Sequence, residues 1–189
     1  MNKPTVSICM ITYNHAKYIE EAINGVLIQK TDFDIELVIS NDNSTDNTDS
    51  IIKSVIEEKD HNKIIKYFKQ ERNLGMMNNF MFTLRQCKGD YIAMCEGDDY
   101  WTDPLKLQKQ LDFLESNSDC AGCFHNTEII DLDDEKKGNL LRHVSTSKLN
   151  QHHLIKDPTI FGHTSSLVFR NSEDFFVPKS FDSSMCDRI

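Results

Sequence analysis

A mostly parallel α/β sheet with helices on both faces is the fold class this sequence predicts, and three observations predict it. Strand-like and helix-like segments alternate four times in roughly the first hundred residues. The strand-like runs carry Ile and Val at their centres, as strands buried on both faces do. The helical runs between them are amphipathic, which suits crossovers that cover such a sheet.

The first strand is VSICMI. TYNHAKYIEEAINGVL then sets Ile19, Ala22, Ile23, Val26 and Leu27 on one helical stripe. FDIELVIS is the second strand. NDNSTDNTDSIIKSVIEE is a polar loop that becomes a helix, with Ile51, Val55 and Ile56 inward and Ser44, Thr45 or Asp46 at its cap. KIIKYFK is the third strand, and NLGMMNNFMFTLRQ the third helix, with Met77, Phe80, Met81 and Leu84 on one face. DYIAMCE is the fourth strand. Thereafter the pattern turns α+β. TDPLKLQKQLDFL is a helix capped by Asp103 with Pro104 in its first turn. CAGCFHNTEIID reads as a longer strand, LDDEKKGN as a charged turn, SKLNQHHLIKD as a short helix and SSLVFR as another strand. No linker splits off a second domain.

The chain has 189 residues, 39% hydrophobic and 27% charged, enough for one globular core. No apolar run approaches the ~20 residues of a membrane-spanning helix. MNKPTVSICM lacks a signal peptide's pattern, so a cytoplasmic protein is expected. The net charge of -9 argues against nucleic acid and against unaided binding to an anionic membrane. A phosphate-bearing ligand would need a metal ion, helix N-termini or a few placed cations. Cys9 and Cys95 lie in apolar runs and act as small hydrophobes. Cys120 and Cys123 have CxxC spacing with His125 just beyond. A zinc site would need a fourth ligand and a turn, so that segment reads as structural.

In open parallel sheets ligands bind beyond the C-terminal ends of the strands. TYNHA, NDNSTD, QERNLG and EGDDYW all leave such ends, so Asn14, Asp42, Asn73 and Asp98 are expected to be near neighbours. In EGDDYW, Gly97 allows a tight turn that aims Glu96, Asp98 and Asp99 at one point. Such hard oxygen donors suit Mg²⁺ or Mn²⁺; a solvated acidic turn before a helix accounts for the same residues. NDNSTDNT alternates like a calcium loop at Asp42, Ser44 and Asp46, but Asn47 stands where that loop needs Gly and Lys53 where it needs Glu. Two readings of it remain: a strand-end carboxylate for a base or ribose, and a bare capped helix start. Gly75 fits a ligand-hugging loop and a helix cap equally. GxGxxG, GxxxxGK[ST] and GxSxG do not occur.

Taken together, VSICMITYNHAKYIEEAINGVL, VISNDNSTDNT, ERNLGMMNNF, KGDYIAMCEGDDYWTDPLKLQKQLDFL and TSSLVFR resemble a family 2 glycosyltransferase of the GT-A fold, of bacterial polysaccharide type, in their order and spacing. The resemblance implies one domain over 1–189, with a Rossmann-like nucleotide-binding half (1–100) and a smaller α+β acceptor half (101–189). It implies inverting transfer of a sugar from a nucleotide sugar, a UDP-sugar first, to a saccharide or lipid-linked saccharide, assisted by Mn²⁺ or Mg²⁺. A lipid-linked acceptor would set it at the inner face of the membrane. EGDDYW takes the place of the DxD motif, with Asp98, Asp99 and Glu96 as metal ligands and Asp98 thereby on the nucleotide. Asp42 falls on the base-contacting aspartate. Thr12, Tyr13 and Asn14 fall on the segment lining base and ribose, and Arg72, Asn73, Gly75 and Asn79 on the stretch that closes over the nucleotide.

Glu96 stands for the first Asp of DxD, reaching a metal or the ribose. Asn41 replaces the first Asp of a DDGS pattern, which shifts the base contact onto Asp42. The resemblance assigns the catalytic base to Asp187 first and Asp182 second, in FVPKSFDSSMCDRI. The helix expected after Asp187 is missing, which implies a chain truncated at its C-terminus. His163 and Ser165 fall at acceptor contacts, although an ordinary loop histidine fits His163 too. Two other functions share these features. One is nucleotidyl transfer, for which TYNHAKY lacks the glycines; the other is non-catalytic binding of a sugar nucleotide.

Overall fold

β1 (Val6–Thr12) and β2 (Ile35–Asn41) are near-continuous apolar runs, and both are buried along almost their whole length. They pair in parallel, as do β2 with β3 (Ile65–Lys69) and β1 with β4 (Tyr91–Met94). Two later strands extend the same sheet in the antiparallel sense: β8 (Val168–Arg170) on β4, and β5 (Gly122–Cys123) on β8. The order is β3-β2-β1-β4-β8-β5, so strands from both halves of the sequence share one sheet. This computed structural model describes residues 3–130, 137–140, 149 and 162–172, with 137–140 given by backbone alone.

Strand periodicity sends alternate residues to opposite faces, and helices cover both. Val6, Ile8, Met10, Leu37 and Ile39 pack under α1 (Ile19–Leu27), α2 (Thr48–Lys59) and α4 (Lys106–Ser116), through Ile19, Ile23, Val26, Ile52, Leu107, Leu111 and Leu114. Cys9, Val38, Ile92 and Met94 face the other way, toward Leu84 of α3 (Met76–Gln86) and Phe169 of β8. Among the described residues, no helix is long and apolar enough to cross a membrane.

Several local expectations are revised. The long strand of CAGCFHNTEIID is two pieces. β5 pairs with a β8 only three residues long, so its ladder stops. The chain then starts β6 (Thr127–Ile130), which pairs with β7 (Lys137–Leu140), inside the stretch read as a charged turn. SSLVFR opens with a 3-10 turn, Thr164–Ser166, before its strand. In α2, Ile52 and Val55 are buried, while Ile51 and Ile56 are half-buried. Of the three expected α2 caps it is Asp46 that serves, its Oδ1 accepting from the Thr48 amide at 3.0 Å and from its hydroxyl. α3 buries Asn79 and Thr83 beside Leu84, where the pattern favoured Met77, Phe80 and Met81. Burial of Asn79 is tolerated because both ends of its amide are paired: Oδ1 accepts from Ser40 Oγ at 2.6 Å and Nδ2 donates to Ser40 O at 3.0 Å. The expected helix of SKLNQHHLIKD lies outside the described residues.

One buried charge ties the bottom of the sheet. Glu36 on β2 is 4% exposed, accepts from Ser7 Oγ at 2.5 Å and Lys88 N at 2.8 Å, and pairs with Lys66. Burial opposes its charge, but Lys66, Ser7 and the Lys88 amide outweigh that and hold the carboxyl below its usual range.

Candidate functional site

The parallel register brings the four strand-end loops to one edge of the sheet, and hydrogen bonds interlock them. The β1 and β2 loops meet at Asn14, a left-handed residue with φ 57°, a conformation that asparagine tolerates. Its amide donates to Ser44 Oγ at 2.9 Å, and its Oδ1 accepts from the Thr45 amide at 2.8 Å. Asp46 Oδ2 accepts from the Ala16 amide at 3.0 Å. Asn41 shapes the same loop: Oδ1 accepts from the Ser44 amide at 2.8 Å, and Nδ2 donates to Tyr67 Oη at 3.0 Å. An uncharged amide can do both at once, which an aspartate at this position could not.

Asp42 joins the second loop to the third. It is 3% exposed, and its two oxygens accept from the Leu74 amide at 2.6 Å and the Gly75 amide at 3.0 Å. Asn73 Oδ1 accepts from the same Gly75 amide at 2.9 Å. Gly75 has φ 82° and ψ 152°, a region open essentially to glycine alone, so this crossing of amides needs glycine there. Tyr13, 43% exposed, offers an open ring on the first loop, and Arg72 is exposed on the third. Asn79 is enclosed against Ser40, so any effect of it on a ligand runs through the position of α3.

The fourth loop holds the acidic cluster. One oxygen each from Glu96, Asp98 and Asp99 lie within 4.8 Å of one another. The turn closes through Asp99 N to Glu96 O at 3.1 Å and is pinned to β1 through Gly97 N to Ile11 O at 2.9 Å. Gly97 is required here for space rather than for left-handed backbone. A Cβ on it would lie 2.6 Å from Thr12 Oγ1 and 2.7 Å from Thr12 Cβ. Burial, then Asp99 and Asp98, push the Glu96 carboxyl up. Burial likewise raises Asp99, with His163 pulling the other way and Asp98 adding to the rise. Asp99 Oδ2, Thr12 Oγ1 and His15 Nδ1 are buried without a hydrogen-bond partner.

Two histidines border the cluster. His15 Nε2 stands 3.8 Å from Asp98 Oδ2, and His163 Nδ1 stands 3.7 Å from Asp99 Oδ2 and 2.9 Å from Ser165 Oγ. Sequence reasoning passed over His15, although it sits in TYNHA at a strand end; the strand-end rule was the signal that could have found it. Trp101 fixes the far side: its Nε1 donates to Ser165 O at 2.9 Å, and the Lys106 ammonium lies 3.9 Å from its ring centroid. Burial lowers Lys106 to about 8. Gln110 Nε2 donates to Ser166 O at 2.9 Å, so β4's exit loop and α4 together hold the segment that carries His163. Asp182 and Asp187 lie outside the described residues.

The donor set fits a hard divalent cation. All three groups are carboxylates, they converge, and their mutual repulsion and burial are relieved by a positive ion. Thr12, Asn14 and Asp42 stand at or just past the ends of β1 and β2, on the same edge of the sheet as the cluster.

Comparison with known proteins agrees with this geometry. A family model described as glycosyl transferase family 2 matches residues 7–176. An uncharacterised protein of Mycobacterium tuberculosis is 40% identical over 131 residues, 69% of this chain and 37% of its own length. An uncharacterised glycosyltransferase of Methanocaldococcus jannaschii is 35% identical over 150 residues, 78% of this chain and 49% of its own. The chain therefore spans less than two thirds of the relatives it matches. Among solved structures, Staphylococcus aureus TarS 1-349 in complex with UDP superposes with a TM-score of 0.52 at 27% identity, over 60% of this chain and 33% of that one. The mannosyltransferase PcManGT of Pyrobaculum calidifontis, solved with GDP-Man and Mn²⁺, gives a TM-score of 0.56 at 22% identity, over 65% of this chain and 35% of that one. Its likeness speaks to the fold, which is the GT-A arrangement.

Proposed function

The chain belongs to glycosyl transferase family 2, and on that premise we propose that it moves a sugar from a nucleotide sugar to a hydroxyl of a saccharide or lipid-linked saccharide, with inversion at the anomeric carbon. The observation that carries this reading is the convergence of Glu96, Asp98 and Asp99 within 4.8 Å at the strand-end edge shared with Asp42. A UDP-sugar is the first donor to test, since TarS, at 27% identity, was solved with UDP.

Asp98 and Asp99 would hold Mn²⁺ or Mg²⁺, with Glu96 as third ligand. An ion held there would supply Lewis-acid chemistry, offsetting charge on a leaving diphosphate. The chain's own residues do the rest. Tyr13 offers a face for the base, Asp42 accepts from a base N–H with its remaining lone pairs, and the loop of Arg72, Asn73 and Gly75 borders the nucleotide. Thr12 and Asn14 fix the loop beneath it. Asp187, with Asp182 second, takes the proton of the attacking hydroxyl. The reading sets the reaction in polysaccharide synthesis in the cytoplasm, at the inner membrane face for a lipid-linked acceptor. It also divides the domain into a donor half, 1–100, and an acceptor half, 101–189.

A panel of UDP- and GDP-sugars, screened by thermal shift with Mn²⁺, tests it. A ligand that binds only the folded chain raises its Tm. The reading expects a Mn²⁺-dependent rise with at least one donor and its loss in Asp98→Asn. No rise with any donor sinks it. For the base, Asp187→Asn is expected to keep the donor-induced rise and lose nucleoside diphosphate release.

A further inference from the structure

We propose that the cavity beside the carboxylate cluster selects an acceptor whose accepting end is an uncharged saccharide, and disfavours uronate- or phosphate-bearing acceptors. This rests on the glycosyl-transfer reading above and assigns the class of its second substrate. The cavity encloses about 830 Å³ and opens directly off Asp98 and Asp99, a size ordinary for a small-ligand site.

Tyr18, Tyr100 and Trp101 line the cavity. Trp101 is held rigidly by its bond to Ser165 O and by Lys106 over its ring. Tyr100 is 37% exposed and presents an open face. An open ring of this kind can bury the C–H face of a pyranose and gain dispersion contacts with it, while Trp101, 5% exposed, backs the cavity.

The lining is also acidic. Glu21 of α1 and Glu128 of β6 line the same space. Neither has an ion-pair partner among the described residues. The two lysines of the lining are already engaged: Lys109 with Asp103 at 2.7 Å, and Lys106 buried on Trp101 with Gln110 Oε1 at 2.6 Å. Carboxylates accept strongly from sugar hydroxyls. They repel an acceptor carboxylate or phosphate in a partly desolvated cleft, which is specificity by rejection.

Trp101 is the single tryptophan of the chain, so its fluorescence reports occupancy of this cavity. The full chain is titrated with neutral oligosaccharides, cellotriose among them, each paired with its uronate counterpart. The expected result is a saturable change with at least one neutral member, at a concentration at least tenfold below that of its uronate twin. In Glu21→Gln/Glu128→Gln that gap shrinks to threefold or less. Uronates binding as tightly as neutral sugars, or no member moving the Trp101 signal, overturns the proposal. Calorimetry of UDP with Mn²⁺ on the same protein separates the two readings. Nucleotide binding without the charge preference removes this inference alone, whereas absence of nucleotide binding removes the glycosyl-transfer reading beneath it.

Discussion

Gly97→Ala adds one carbon to the tightest point of the site. That carbon would sit 2.7 Å from Thr12 Cβ, 2.6 Å from Thr12 Oγ1 and 3.0 Å from His15 Nδ1. Ordinary carbon contacts begin near ~3.5 Å, so the turn or β1's last residue must give by most of an ångström. Thr12 is 2% exposed and its carbonyl accepts from Asp42 N at 2.9 Å, so β1 resists and the acidic turn moves instead. Overpacking of this kind costs about 1–3 kcal/mol. At roughly 2–4 °C per kcal/mol for a chain of this size, Tm should fall by about 2–12 °C. The displaced carboxylates should weaken Mn²⁺-dependent UDP binding by at least about tenfold, as ångström misplacements in sites do. Urea unfolding followed by Trp101 fluorescence reads the first effect, and calorimetry the second. A variant of unchanged stability and unchanged affinity would show that the turn has room to spare, and the close-approach argument would be wrong.

Other perturbations have signs fixed by the contacts. Asp49 accepts from Tyr67, Lys69 and Lys53 at 2.7, 2.9 and 3.0 Å, and against the effect of burial these donors hold its carboxyl at about 2. Its stabilisation is complete above the unfolded value near ~3.9 and is lost as pH falls toward the folded one. Asp49→Asn should therefore flatten the loss of stability between pH 4 and 2, measured by urea unfolding across that range, and should cost about 1–2 kcal/mol at pH 7. Glu36→Ala strips Ser7, Lys66 and the Lys88 amide of their acceptor and should cost about 2–3 kcal/mol, with Glu36→Gln milder, read from denaturant midpoints. Asp42→Ala frees the Leu74 amide and leaves the Gly75 amide to Asn73 alone, so hydrogen exchange at Leu74 should quicken and nucleotide affinity fall at least about tenfold.

The sheet and its helices were legible because their signals are local. Ile and Val centres mark β1 and β2, and the stripe of Ile19, Ile23 and Val26 marks α1. What stayed hidden depends on partners far along the chain. Nothing near Asn79 announces that Ser40, 39 residues away, will satisfy its amide and turn a polar residue inward. Glu36 reads as an outward strand residue until Ser7, Lys66 and Lys88 are seen around it. β5 and β6 part because β8 is short, a fact of tertiary pairing. The site was legible as a set of strand-end loops, and EGDDYW and Asp42 do lie at the same edge of the sheet, on either side of β1. The hydrogen-bond commitments of Asn14 and Asp42, the approach of His15 and the spatial need for Gly97 arise only when those loops pack together.

A crystal of the chain grown with Mn²⁺ and UDP decides whether the acidic turn is a cation cradle. Anomalous density about 2.1 Å from oxygens of Asp98 and Asp99, bridging to the diphosphate, is the result expected here. An ion bound elsewhere, with these carboxylates turned away from the nucleotide, would contradict it.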